Sequence, residues 1–230
     1  MAMYDSHADA FDAHARDGAW NAHYDRPTML RMLGDVAGLT VLDAGCGPGH
    51  YVGELLDRGA AVTGVDESAE MIRIARGRYG DRADLRVHDL AEPLPWLADG
   101  SVDRVLMALV VHHLPDVAGT LREMRRLLAD DGRVLVSTSH PTTDWRRLGG
   151  SYFTDARVAE TWRLGLRTGY RRAPLEAWAA DFAAAGFVIE SIVETRPAES
   201  MREAFPAEYA ELTTEPGFIA FALMTHPGTP

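Results

Sequence analysis

The feature that most constrains this chain is a short apolar segment that runs into three closely spaced glycines. Residues 41–49 read Val-Leu-Asp-Ala-Gly-Cys-Gly-Pro-Gly, and residues 51–56 follow with helical spacing of apolar side chains. This order predicts a buried strand, a tight turn and the start of a helix. Glycine permits positive φ and a close approach of ligand to main chain, and a helix N-terminus offers unpaired N–H groups. The turn therefore predicts a site for an anionic or strongly polar ligand.

The glycine spacing and a nearby acid narrow the choice of ligand. Dinucleotide-binding turns use G-x-G-x-x-G around a pyrophosphate, whereas here Gly45, Gly47 and Gly49 alternate and Asp43 lies two residues upstream. A carboxylate there repels a pyrophosphate but can bind an amine. The stretch resembles the glycine-rich motif of class I S-adenosylmethionine (SAM) dependent methyltransferases, whose cofactor carries an amine and a sulfonium. The resemblance implies that these four residues, with Cys46 as a small spacer, seat the methionyl part of SAM.

A second acid ends the next predicted strand. Residues 61–66 are apolar up to Asp66, about twenty residues beyond the first glycine, which is the spacing of ribose-binding acids in α/β folds. A helix follows, so capping of its N-terminus by Asp66 or Ser68 is the alternative role. The resemblance implies that Asp66 binds the ribose, with Glu67 and Met71 beside it.

Two further strand ends are expected in the cofactor site. The strand over residues 84–87 is followed by Asp89 and Leu90, which the resemblance places against the adenine, although Asp is also a common turn residue. The strand over residues 102–108 ends at Ala108, which we expect beside the cofactor too.

The order of the predicted elements indicates the fold class. Alternating strands and helices favour a parallel sheet covered on both faces, with ligands outside the carboxyl ends of its strands. Residues 187–194 and 218–224 predict two more strands, which in the family pair antiparallel. We expect one domain over residues 1–230: a three-layer α/β sandwich with a seven-stranded, mostly parallel sheet whose last strand is antiparallel.

Two segments lie outside the strand–helix repeat. Residues 1–38, the helical cap, predict a helix, a loop over residues 21–27 and a second helix; the resemblance implies that such a preface folds over the cofactor, and Tyr24 is expected to contact it. Residues 138–173, the insert, predict a long irregular connection after strand five. Long loops in compact domains are usually functional.

The insert and the cap supply the expected substrate-binding residues. Aromatic side chains suit a planar organic acceptor, although an aromatic mini-core that holds the insert down is equally compatible with them. Arg146, like Arg147, Arg171 and Arg172, is able to bind a substrate carboxylate or to face water. The candidates are Tyr4, His140, Trp145, Arg146, Tyr152 and Phe153, with Trp162 and Tyr170 among the other aromatics of the insert.

A pair of histidines follows strand four and is the candidate for catalysis. Methyl transfer from a sulfonium requires mainly that a nucleophile be held in line with the C–S bond. A protonated nucleophile also needs a general base, and histidine suits that role near neutral pH. His112 and His113 are therefore candidate bases, with His14 of the cap completing the site. The alternative is that one of the pair packs against the cofactor and the other is solvated.

Composition excludes several classes of partner. A net charge of −11 and a pI near 5.2 disfavour nucleic acid and anionic membrane surfaces. There is one cysteine, no apolar run of about eighteen residues, no leader-like N-terminus and no metal-binding motif. We expect a soluble, cytoplasmic protein without metal; oligomeric state stays open.

Methyl transfer to a small organic acceptor, with S-adenosylhomocysteine (SAH) as product, is the function that these patterns favour. A SAM-binding protein without turnover is the alternative from another class. A nicotinamide-dependent reductase is a third, which the glycine spacing and Asp43 disfavour.

Overall fold

Seven of the strands form one sheet, in which the first and fourth strands of the chain lie side by side in the interior. A computed structural model describes residues 5–161 and 167–225, so Tyr4 and Trp162 lie outside the described residues. The strands are β1 (Thr40–Ala44), β2 (Ala61–Asp66), β3 (Asp84–Val87), β4 (Val102–Ala108), β5 (Leu128–Ser139), β6 (Ala156–Thr161), β7 (Arg167–Arg172), β8 (Phe187–Glu194) and β9 (Phe218–Thr225).

The spatial order of the sheet is β3-β2-β1-β4-β5-β9-β8. Strand β9 runs antiparallel to both neighbours, and the other pairs are parallel. This confirms the predicted seven-stranded, mostly parallel sheet whose last strand is antiparallel. From β1 the strands are added first toward one edge of the sheet (β2, β3) and then toward the other (β4, β5). At this switch point, between β1 and β4, the carboxyl ends of the strands leave a crevice.

Helices cover both faces of the sheet. They are α1 (Ala8–Asp17), α2 (Arg26–Leu33), α3 (His50–Asp57), α4 (Ala69–Tyr79), α5 (Val117–Leu127), α6 (Pro141–Leu148), α7 (Leu175–Ala184), α8 (Glu199–Ala204) and α9 (Pro206–Thr214). Within the described residues, no helix combines the length and apolarity that crossing a membrane requires.

The core is divided by the sheet because successive strand residues point to opposite faces. In β1, Leu42 joins a cluster with residues of α5 and α7, whereas Val41 joins a cluster with residues of α2, α3 and α4. Both side chains are fully buried. The layers are therefore helices, sheet and helices, as expected.

The cap and the insert are more ordered than predicted. Residues 21–25 form a π-helical segment rather than a loop, because Tyr24 is fully buried there and packs against Trp20 and Phe218. The insert is not irregular: it contains α6 and an antiparallel β6–β7 hairpin. Asp144 of α6 and Tyr170 of β7 connect the two by a hydrogen bond of 3.2 Å.

The cap lies against the glycine turn. Asp12 of α1 accepts hydrogen bonds from Arg16 (2.8 Å) and from Arg78 of α4, and Arg78 also donates to the Pro48 carbonyl at 2.9 Å. The Asp12 side chain is 9% exposed in these pairs, and Arg78, His50 and Arg16 hold its pKa below the ordinary value against the opposing effect of burial. This contact positions α1 over the turn.

Candidate active site

The glycine turn has the backbone that its sequence predicts. Gly45, Gly47 and Gly49 have φ of +82°, +52° and +86°, values that residues other than glycine rarely adopt. A Cβ on Gly45 would lie 2.4 Å from Val110 Cγ2, whereas a Cβ on Gly47 would meet no atom within 4 Å. Gly47 therefore faces open space, and a ligand can approach its main chain there.

Asp66 connects the turn to the end of β2. Its carboxylate accepts hydrogen bonds of 2.9 Å from the backbone N–H groups of Gly47 and Ser68. Burial raises the pKa of Asp66 to about 6, and the two hydrogen bonds lower it in part. Ser68, not Asp66, caps α4, because its hydroxyl accepts from Met71 N at 3.2 Å.

Asp43 lies beneath the turn and is almost inaccessible, at 1% exposure. One oxygen of its carboxylate accepts no hydrogen bond within the described residues. Burial, and next the charge of Asp66, raise the pKa of Asp43 to about 8. A buried carboxyl oxygen without a partner is unfavourable alone, and it fits a ligand that brings an ammonium group.

A cleft of about 800 Å³ opens above the carboxyl ends of the strands. This volume lies in the upper part of the range for small-molecule sites, so it has room for a second ligand beside a nucleoside. Its walls come from the cap, the glycine turn, the ends of β2, β4 and β5, and the insert. The residues expected from sequence that line it are Gly45, Cys46, Gly47, Asp66, Glu67, Met71, Asp89, Leu90, Ala108, His14, His112 and His113.

Comparison with known proteins assigns the family. A family model described as a methyltransferase domain matches residues 42–136. Ubiquinone biosynthesis O-methyltransferase of Pseudomonas paraeruginosa is 30% identical over 183 residues, covering 74% of this chain and 75% of that protein. The chain belongs to the SAM-dependent methyltransferases. Demethylmenaquinone methyltransferase of Tropheryma whipplei is 36% identical over 122 residues, 53% of this methyltransferase and 50% of that one, so the match spans about half of that relative's length.

A solved structure agrees with this methyltransferase fold. The Burkholderia thailandensis 1,6-didemethyltoxoflavin-N1-methyltransferase, bound to its acceptor and to SAH, is similar with a TM-score of 0.65 and 23% identity, covering 96% of this chain and 84% of that one. SAM is the cofactor of this methyltransferase, and SAH is its product. The glycine turn fits SAM, because no atom lies within 4 Å of the place of a Cβ on Gly47. Asp43, buried beneath the turn, has a carboxyl oxygen without a partner in the described residues that suits an ammonium group.

In this methyltransferase His112 is buried and His113 is half-buried, and their surroundings favour the neutral form of both rings. They lie in a short 3₁₀ turn after β4. Burial lowers the pKa of His112 well below its usual value and lowers that of His113, and the charge of Arg157 acts in the same direction. His113 Nδ1 lies 3.0 Å from the Gly169 carbonyl, which can only accept, so the proton is on Nδ1 and Nε2 carries the lone pair.

His112 contacts the end of β5. Its Nδ1 lies 3.0 Å from the Thr138 hydroxyl, and its ring centroid is 4.2 Å from that of His113. His112 is 6% exposed. The His112 ring therefore packs between the end of β5 and the ring of His113.

Several residues expected in the site are not on the wall of the cleft. Asp43 is buried beneath the glycine turn and does not line the cleft. Gly49 is the N-cap of α3. Tyr24 accepts a hydrogen bond of 2.8 Å from Gly217 N at the start of β9, because its ring is buried in the aromatic contact of the cap. His140 caps α6 through Nδ1, which accepts from Thr142 N at 3.2 Å.

Three aromatic side chains of the insert, Trp145, Tyr152 and Phe153, contact one another instead of the cleft, whereas Tyr170 lines it. Tyr152 makes edge-on contacts with Trp145 and Phe153, and Phe153 is 71% exposed. Trp145 Nε1 donates to the Gly150 carbonyl at 3.0 Å, and Arg146 pairs with Glu215. The mini-core interpretation of these aromatics is the one that the structure favours.

Other cleft residues were missed from the sequence. Asp25, 2% exposed, accepts a hydrogen bond of 2.6 Å from Tyr51, and burial raises its pKa to about 6. Arg26 lies beside them, and Arg157 of β6 lines the opposite part of the cleft. No local pattern marks these residues, because each is brought to the cleft by contacts distant in sequence.

Proposed function

We propose that this methyltransferase acts on the hydroxyl or N–H group of a small ring compound, with His113 as general base. One observation carries the proposal: the Gly169 carbonyl fixes the Nδ1–H tautomer of His113 at the wall of the cleft. A neutral imidazole with its lone pair on Nε2 is the form that accepts a proton.

We assign each part of SAM to residues that follow a particular strand. Asp43 and the glycine turn would hold the methionyl ammonium and carboxylate, Asp66 the ribose hydroxyls, and Asp89 with Leu90 the adenine. The support is that Asp66, Asp89 and Leu90 line one continuous cleft with Gly45 and Gly47. SAM supplies a methyl group already activated on a sulfonium.

In the proposed reaction every bond, electron pair and proton is accounted for. The acceptor's lone pair forms the new bond to the methyl carbon as the C–S bond breaks, and the C–S electrons remain on sulfur as neutral SAH. The proton of the acceptor moves to His113 Nε2 and leaves to solvent afterwards.

The acceptor class is proposed from the relatives and the cleft walls. Two relatives are named for methylation in menaquinone and ubiquinone biosynthesis. In this chain, Trp20, Tyr170 and Phe218 line the cleft, and aromatic walls suit a flat ring. We therefore expect a ring-bearing acceptor of quinone-precursor size.

The substitution His113→Asn tests the base. The Asn amide can still donate to the Gly169 carbonyl, but it cannot accept a proton. We expect kcat to fall about 10²- to 10⁴-fold while SAH affinity by calorimetry stays unchanged. His112→Asn is the matched control, with a smaller loss. If His113→Asn turns over a hydroxylated acceptor at the wild-type rate, His113 is not the base.

A further inference from the structure

The two halves of the cleft carry opposite charge. Asp66, Glu67 and Asp89 line the half that we assign to SAM. Arg147 and Arg157 line the other half, where Asp144, the acid of that half in the described residues, pairs with Arg147 at 3.4 Å. The net charge of the whole chain is −11, yet two guanidinium groups outnumber the one carboxylate beside the candidate base. This local excess of positive charge suits an anion.

Both arginines and both histidines converge on residues 169 and 170 of β7. Arg157 Nη2 donates to the Gly169 carbonyl at 3.3 Å, the same oxygen that His113 Nδ1 contacts at 3.0 Å. Arg147 donates to the Tyr170 hydroxyl, whose ring lies 6.0 Å from that of His112. The positive groups are therefore neighbours of the candidate base.

Arg157 differs from the arginines that pair with acids elsewhere. Its guanidinium donates to the carbonyls of Leu114, His113 and Gly169 at 3.2–3.3 Å, and it forms no ion pair with a carboxylate among residues 5–161 and 167–225. The Arg157 residue is exposed at the mouth of the cleft. A guanidinium has five donors in a fork that matches a carboxylate, so long carbonyl contacts leave its charge available to a ligand.

We propose that the acceptor is a ring compound that carries a carboxylate, bound by Arg157 beside Arg147, with its reactive hydroxyl at His113. The inference rests on the proposed function and names its substrate class. The charge of Arg157 also helps to keep the histidines neutral, and the anion of the substrate would offset that charge when it binds.

Matched pairs of acids and amides test the proposal by binding. The SAH-loaded enzyme is titrated with hydroxybenzoic and hydroxynaphthoic acids and with the corresponding carboxamides, by tryptophan fluorescence. We expect at least one acid to bind ten times more tightly than its amide. Arg157→Met should remove that preference, and Arg157→Lys should retain part of it. Arg31→Met is the control, because Arg31 is exposed on α2 and its replacement changes the net charge equally.

Three results would overturn the proposal: amides that bind as tightly as the acids, no binding by any member of the panel, or an acid preference that survives Arg157→Met. These results are separable from failure of the proposed function. SAM-to-SAH turnover with a neutral hydroxylated acceptor would leave the methyltransferase assignment intact and reject the carboxylate, whereas absence of SAH binding would reject the assigned cleft itself.

Discussion

SAH binding should release a proton from Asp43. The pKa of this buried carboxyl is raised to about 8, so at pH 7 about 0.9 of the molecules without cofactor hold the proton. An ammonium group brought beside the carboxyl favours its charged form and lowers the pKa. Of the protons that binding releases, Asp43 should therefore supply about 0.9 per SAH at pH 7 and about 0.1 at pH 9.

Calorimetry in two buffers measures this release. The enthalpy of SAH binding is compared in phosphate and Tris, whose ionisation enthalpies differ, and the difference gives the number of protons. Asp43→Asn should reduce the release at pH 7 to about 0.1, the fraction expected from Asp66, whose pKa is about 6. A wild-type enthalpy that is equal in both buffers would refute the reasoning. So would an Asp43→Asn variant that releases as much as the wild type.

Two further predictions concern the ribose-binding acid and the general base. Asp66→Ala should weaken SAH binding by about 1–3 kcal/mol because hydrogen bonds to the ribose are lost. Asp130→Ala, which removes an exposed acid outside the cleft, is the control, and unchanged affinity in Asp66→Ala would count against the ribose assignment. The pH–rate profile for the acceptor at saturating SAM should show its acid limb below pH 6.5, because burial lowers the pKa of His113 and protonation removes the base. An acid limb above pH 7 in kcat/KM for the acceptor would contradict the assignment.

The strand ends of the cofactor half could be predicted because local patterns determine them. Positive φ at Gly45 and Gly47 follows from residue type and spacing. Asp66 and Asp89 come at fixed distances after apolar runs, and parallel strands bring their carboxyl ends to one edge. Sequence distance and spatial position are related here by regular geometry, so the fold class and these positions follow from the chain.

The acceptor half could not be predicted in the same way. His140 and Tyr152 have residue types that suit a substrate site, yet the first caps a helix and the second receives a hydrogen bond of 3.3 Å from Leu175 N. Tyr24 reaches Gly217 across 193 residues of sequence. Arg157 enters the cleft because a hairpin folds back onto the histidine turn. Such positions depend on tertiary contacts, which the local pattern of apolar and polar residues does not predict.

The histidine turn is held by the sheet rather than by flexible loops. Leu109, at the end of β4, has φ of +58°, a strained value for a residue with a branched side chain. Its N–H donates to the Ser137 carbonyl and hydroxyl at 3.2 and 3.0 Å, and the adjacent Thr138 contacts His112. Two adjacent residues of β5 therefore stabilise the strained Leu109 and orient His112. Because strain persists only where neighbours enforce it, this arrangement indicates that the half of the cleft proposed for the acceptor is preorganised before either ligand binds.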